Sequence, residues 1–207
     1  MKVLLLNGSP NAEGSTYTAL REVADTLEKE GVATEIFQIG KKAVSGCIAC
    51  YKCRETGRCA LPDGVNKFVE TARTADGFVF GSPVHYAAAS GAITSFLDRA
   101  FFSPDKAVYQ LKPGAAIVAA RRGGTTAALD QLNKYFTISE MPVISSQYWN
   151  MVHGFTPEDV RQDLEGMQTM RVLGRNMAWF LKCKAAAAAA GVPLPDREER
   201  QMTNFIR

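Results

Sequence analysis

The segment Val3–Leu4–Leu5–Leu6 is an unbroken apolar run that passes into Asn7–Gly8–Ser9–Pro10–Asn11–Ala12–Glu13–Gly14–Ser15–Thr16. An apolar run without alternation is a strand buried on both faces, as found in parallel sheets covered by helices. The Gly, Ser, Pro and Asn that follow form a loop, and a helical pattern starts at Ser15. A loop in that position lies at the carboxyl edge of the sheet, where unpaired helix amides and the positive end of the helix dipole favour an anion. Phosphate is the expected anion, with Ser9, Asn11, Ser15 and Thr16 as its candidate contacts. The loop lacks the Lys of G-x-x-x-x-G-K-[ST], and it is not G-x-G-x-x-G, because Gly8 is followed next by Gly14. A single terminal phosphate therefore suits it better than a triphosphate or a dinucleotide pyrophosphate. The alternative is that Ser15 or Thr16 only caps the helix and Gly8–Ser9–Pro10 only turns the chain.

The periodicity of the remaining chain decides between these readings. Leu20, Val23, Ala24 and Leu27 recur at helical spacing up to Gly31, and Ala33 to Ile39 reads as a second strand. Asp63 is placed as an N-cap before Val65, Phe68, Val69 and Ala72. Asp76 to Gly81 is a third buried strand that runs into Ser82–Pro83–Val84–His85–Tyr86, followed by a helix capped near Ser90. Ala115 to Ala120 is a fourth strand ending in Arg121–Arg122–Gly123–Gly124, and Thr125 to Phe136 is the next helix. Met141 to Ser145 is expected as a short fifth strand, with one long helix from Pro157 into Ala185–Ala190. Residues 193–207 form a polar tail. With 207 residues and 46% hydrophobic content, the chain can bury a single domain.

Strands alternating with helices imply right-handed crossovers and helices on both faces of a five-stranded parallel sheet. The loops after Leu6, Phe80 and Ala120 then meet at one edge. In the doubly wound strand order 2-1-3-4-5 that crevice is an FMN site. Pro83, Val84, His85 and Tyr86 would lie against a flat isoalloxazine, and Gly123 and Gly124 would let backbone approach its other side. Arg121 and Arg122 suit the phosphate of an incoming NADPH or the negative charge of reduced flavin, and are equally compatible with plain solvation. Tyr148 to Gly154 reads as an aromatic turn, with Trp149 either roofing the site, meeting a subunit or plugging the space under the last helix.

Four of the five cysteines fall at Cys47, Cys50, Cys53 and Cys59, spaced C-x2-C-x2-C-x5-C inside a loop at 40–62 that is long for a compact domain. The x2, x2 spacing reproduces that of bacterial ferredoxins, while the fourth interval differs. A [4Fe–4S] cluster ranks first, a redox-active thiol set second, and zinc third, since zinc ribbons set two Cys pairs well apart. Cys183 reads as an inert core residue of the last helix. A net charge of +3 spread along the chain gives no nucleic-acid footprint. No apolar run reaches a membrane span, and Met1–Lys2 leads directly into a strand, so the expected location is the cytoplasm.

Taken together, Asn7–Gly8–Ser9–Pro10 with Ser15–Thr16, the compact cysteine loop, Gly81–Ser82–Pro83–Val84–His85–Tyr86 and the closing Thr203–Asn204–Phe205–Ile206–Arg207 resemble the NADPH-dependent FMN reductases and, more closely, the iron–sulfur flavoproteins. The resemblance implies a three-layer flavodoxin-like fold, with Ser9, Ser15 and Thr16 on the FMN phosphate and the Pro83–Tyr86 loop on the isoalloxazine. It further implies that the four cysteines hold [4Fe–4S] and that the protein forms a homodimer or homotetramer. The expected activity is electron transfer from NAD(P)H or a reduced ferredoxin-like donor to a quinone, a flavin or a redox partner. The rival is a non-enzymatic electron carrier, or a flavin-binding redox-sensing module with a thiol or zinc loop.

Overall fold

The computed structural model describes residues 1–199, 201–203 and 205. Arg200, Asn204, Ile206 and Arg207 lie outside the described residues, and with them most of the closing Thr203–Arg207 motif. Strand β1 (Lys2–Asn7) is flanked by β2 (Ala33–Gln38) and β3 (Gly77–His85), and β3 pairs onward with β5 (Gly114–Ala120) and β5 with β6 (Met151–His153). These five strands are parallel in the order β2-β1-β3-β5-β6, the doubly wound order expected. A two-residue strand β4 (Ala88–Ala89) folds back antiparallel on the end of β3.

The apolar run of β1 is buried for the reason its pattern implies. Leu4 and Leu6 face one core with Phe78, Phe80, Ala116 and Val118, whereas Val3 and Leu5 face the other with Val79, Ala115 and Ile117. The first core is closed by α3 (Gly64–Arg73), α4 (Gly91–Phe102) and α5 (Thr125–Thr137), the second by α1 (Ser15–Lys29), α6 (Pro157–Gln162) and α7 (Leu164–Ala189). Helix α1 ends as its Gly31 requires: Gly31 adopts φ +81°, its N–H donates to Glu28 O, and the Val32 N–H donates to Leu27 O. Asp63 caps α3 through Val65 N–H, and Ser90 caps α4 through Ile93 N–H. A four-residue helix α2 (Cys53–Thr56) lies within the cysteine loop.

Four readings are corrected. The fifth strand is not Met141–Ser145: that stretch makes only an isolated bridge from Val143 to Gly114, and the strand proper is Met151–His153, within the expected aromatic turn. The long C-terminal helix is broken at Asp163, whose carboxylate caps α7 through Gly166 N–H and also accepts from His153 N–H. Cys183 is exposed, because α7 turns Met170, Leu173, Met177 and Leu181 toward α1 and Cys183 falls off that stripe. Trp149, 56% exposed, does not plug the space under α7. Among the described residues no helix is long and apolar enough to cross a membrane.

Candidate functional site

The loop between β1 and α1 is held by side chains at the ends of β1 and β2. Asn7, fully buried, accepts from Ser9 N–H at 3.1 Å and donates to Gln38 Oε1 at 2.6 Å and to the Asn11 carbonyl at 3.3 Å. Gln38 in turn donates to the Ser9 carbonyl at 2.6 Å. Ser9 Oγ accepts from Asn11 N–H at 3.2 Å, which closes the turn. Gly8 sits between β3 and α4, donating to Gly81 O at 2.8 Å. A Cβ there would come within 2.8 Å of that oxygen and 2.6 Å of Ile93.

Helix α1 begins with Gly14 as its N-cap, so neither Ser15 nor Thr16 caps it. The first helical bond runs from Thr18 N–H to Gly14 O, and the amides of Ser15, Thr16 and Tyr17 precede it. The first turn carries no acidic side chain. Amides without helical partners and the positive helix end are therefore available to an anion. Ser15 Oγ donates to Phe155 O at 3.2 Å, which brings the segment after β6 to this edge. Thr16 is buried with its methyl toward Gly81, and Asn11 is exposed at the loop tip.

The Pro83–Tyr86 segment is a hairpin. Val84 pairs with Ala89 and His85 with Ala88, and the two turn residues, Tyr86 and Ala87, have φ +50° and +59°. Positive φ at both central positions is the type I′ arrangement, here carried by two residues with side chains, at a cost of roughly 1–2 kcal/mol each. Ser82 Oγ accepts from Ser90 N–H at 3.0 Å, and Ser90 Oγ donates to Gly8 O at 3.1 Å, so the hairpin and the β1–α1 loop are tied together. Gly124, the N-cap of α5, has φ +90°, and a Cβ on it would approach Ala87 Cα to 2.6 Å. Its freedom thus serves the packing of the β5 loop on the hairpin, while Gly123 faces open space. Arg121, Arg122, His85 and Tyr86 are exposed around this edge. The three predicted loops therefore meet at one edge of the sheet.

The cysteine loop builds a second centre. Cys47, Cys50, Cys53 and Cys59 line one pocket with Ile48, Tyr51, Leu61, Arg99, Phe102 and Ser103. Cys50 is flanked by Ala49 and Tyr51 at φ +50° and +57°, a strained backbone of the kind that clusters at functional sites. Asn66 of α3 clamps Cys59, accepting from its N–H and donating to its carbonyl, both at 2.9 Å. Arg99 of α4 is 2% exposed; its Nη2 donates to Asp63 and its Nη1 to Cys59 Sγ at 3.5 Å. Burial opposes the charge of Arg99, but its bonds to Asp63 and Cys59 outweigh that and raise its pKa. Arg99 Nε and Ser103 Oγ are buried without a hydrogen-bond partner among the described residues.

Burial pushes the Cys53 thiol up, and the nearby Cys47, Cys50 and Cys59 push the same way. Four neighbouring thiolates require a positive partner to ionise together. Among the described residues no three His, Cys, Asp or Glu side chains could hold a metal ion as they stand. The four thiols line one pocket, a donor set whose chemistry suits an iron–sulfur cluster or zinc. Asn7, Gln38, Asn66, Arg99 and Ser103 were missed from sequence. Asn7 stood inside the phosphate-loop motif, but its role depends on a partner 31 residues away.

The sequence profile of the NADPH-dependent FMN reductase family matches residues 1–156. An iron–sulfur flavoprotein of Methanocaldococcus jannaschii is 32% identical over 191 residues, covering 88% of this chain and 98% of that protein. A second iron–sulfur flavoprotein of the same organism is 28% identical, covering 83% of this chain and 92% of its own length. A flavodoxin from the domain Archaea superposes with a TM-score of 0.61 over 88% of this chain and 99% of that one, at 15% identity, a likeness of fold. With more than half of its length matched and the flavodoxin-like sheet in place, the chain belongs to the NADPH-dependent FMN reductase family, a family of FMN-dependent oxidoreductases.

Proposed function

We propose that the protein is a two-centre FMN oxidoreductase, taking electrons from NAD(P)H or a reduced ferredoxin-like donor and passing them to a quinone, a flavin or a redox partner. The observation that carries this reading is the pocket in which all four loop cysteines meet a buried arginine, on the same fold as an anion-ready loop. FMN, when bound, supplies two-electron and one-electron chemistry, and a [4Fe–4S] cluster supplies single electrons.

The chain's own residues bind and orient. Ser9, Ser15, Thr16 and the first-turn amides of α1 hold the FMN phosphate, with Asn11 at the loop tip. Pro83, Val84, His85 and Tyr86 flank the isoalloxazine on a hairpin braced by Gly124, with Gly123 beside it. Arg121 and Arg122 meet the phosphate of an incoming nicotinamide nucleotide. Cys47, Cys50, Cys53 and Cys59 are cluster ligands, and Asn66 orients Cys59. The names of the M. jannaschii relatives, both iron–sulfur flavoproteins, support the cluster. We place the protein in the cytoplasm as a homodimer or homotetramer.

The test is an ultraviolet–visible spectrum of anaerobically purified protein, with iron and zinc assayed on the same sample. Flavin bands, a broad absorbance bleached by dithionite and about four irons per chain are expected. Flavin without iron would leave a simple FMN reductase, and absence of bound flavin after FMN addition would overturn the reading. Steady-state NAD(P)H oxidation with a quinone separates an enzyme from a carrier reduced only by a protein donor.

A further inference from the structure

The side chains of Arg99 and Ser103 contain the two buried donors without partners among the described residues, and both line the cysteine pocket. They stand four apart in sequence, at the last turn and the C-cap of α4, and so on one face of that helix. Arg99 is 2% and Ser103 5% exposed, so bulk solvent does not reach these groups. An unpaired buried donor is destabilising, and a charged one more so. Arginine has donors only, so the partner these groups lack is an acceptor. Arg99 Nη1 already donates to Cys59 Sγ at 3.5 Å, so the guanidinium reaches the cysteine sulfurs through Nη1 while Nη2 is held by Asp63. Of the other wall residues, Ile48 and Phe102 are apolar but exposed at the rim, whereas Arg99 and Ser103 are buried, and burial of these two donors strengthens a bond from them to a charged acceptor.

We infer that Arg99 and Ser103 are positioning residues that donate hydrogen bonds to the sulfur of a [4Fe–4S] centre held by the four cysteines, favouring its reduced form. The inference rests on the cluster reading above. Adding one electron, drawn from reduced FMN or from dithionite in the test, raises the negative charge in the pocket by one unit. A buried guanidinium and a hydroxyl stabilise that added charge more than the charge before it. Asp63 accepts from Nη2, offsets part of the guanidinium charge and fixes its orientation.

The experiment compares wild type, Arg99→Gln, Arg99→Lys and Ser103→Ala, each reconstituted anaerobically with ferrous iron and sulfide. Iron per chain is assayed, and the midpoint potentials of the cluster and of FMN are read from one redox titration followed by electron paramagnetic resonance and absorbance. Expected for Arg99→Gln is at least a tenfold shift of the cluster equilibrium toward the oxidised form, 59 mV for one electron. Arg99→Lys should fall between it and wild type, and Ser103→Ala should shift by about threefold in the same direction, with the FMN couple unmoved. A wild type that takes up no iron overturns the cluster reading and this inference with it. Iron retained with an unshifted cluster potential overturns the inference alone, and if Arg99→Gln fails to fold, Ser103→Ala decides by the same criterion.

Discussion

Asn7 Nδ2 donates to Gln38 Oε1 at 2.6 Å, tying the last residue of β1 to the last residue of β2 beneath the β1–α1 loop. Each partner also holds Ser9, Asn7 through its N–H and Gln38 through its carbonyl. Asn7→Ala removes four hydrogen bonds, the fourth from Nδ2 to the Ala12 carbonyl at 3.5 Å, at a fully buried position. Denaturant unfolding of the apoprotein should lose about 1–3 kcal/mol, and FMN titration should show weaker binding, because the loop loses its shape. An unchanged FMN affinity would separate this network from cofactor binding.

Ser9 Oγ accepts from Asn11 N–H, leaving its own hydrogen free to donate. Removing a hydrogen bond to a charged group costs about 1.5–3 kcal/mol, or roughly 10- to 150-fold in affinity. Ser9→Ala should weaken FMN by that factor and leave riboflavin, which lacks the phosphate, close to wild type in fluorescence titrations. Equal losses for both ligands would move the phosphate elsewhere.

Gly124 combines φ +90° with a Cβ position 2.6 Å from Ala87 Cα, whereas Gly123 faces open space. Gly124→Ala should lower stability by at least about 1–3 kcal/mol, a fall in melting temperature on the order of 5 °C. Gly123→Ala should stay within about 0.5 kcal/mol of wild type. Paired thermal melts check both.

Asp159 closes a capping box at the start of α6, accepting from Thr156 and Phe155 N–H groups that hold its carboxyl below the usual carboxylate range. The folded state favours the ionised form. Its contribution is therefore present above the unfolded value of about 3.9 and is lost as pH falls through the lower folded value. The melting-temperature gap between wild type and Asp159→Asn should shrink between about pH 6 and about pH 3. A gap that widens on acidification would assign the effect to another group.

Cys50 lies between two left-handed residues in the strained stretch of the cysteine loop. Cys50→Ser should strip cluster absorbance and most of the iron while FMN binding persists, since the phosphate loop is built from β1, β2 and α1. Full iron in the variant would remove Cys50 from the ligand set.

The sheet was legible because its signal is local. Four consecutive apolar residues cannot sit at a solvent face, and Val3 to Leu6 indeed divide between two cores. Caps read equally well: Asp63, Ser90 and Gly31 each act through atoms two to five residues away. The fifth strand was not legible, because Met141–Ile144 and Met151–Val152 are both short apolar stretches. Pairing with β5 chooses the second and leaves the first a single bridge. The break at Asp163, whose carboxylate caps α7 through Gly166 N–H, is also held by its bond to His153 N–H, a contact between elements.

The cysteine spacing and the anion-ready start of α1 were determined by sequence alone, since a loop's donors lie within one contiguous stretch. Tertiary structure decided what surrounds them. Arg99 reaches Cys59 across 40 residues and Asp63 across 36, and Gln38 reaches Asn7 across 31. Such pairs carry no periodicity or motif. They exist because packing α4 on α3 and β2 on β1 buries polar groups that must then find partners, and the choice of partner is made by the fold.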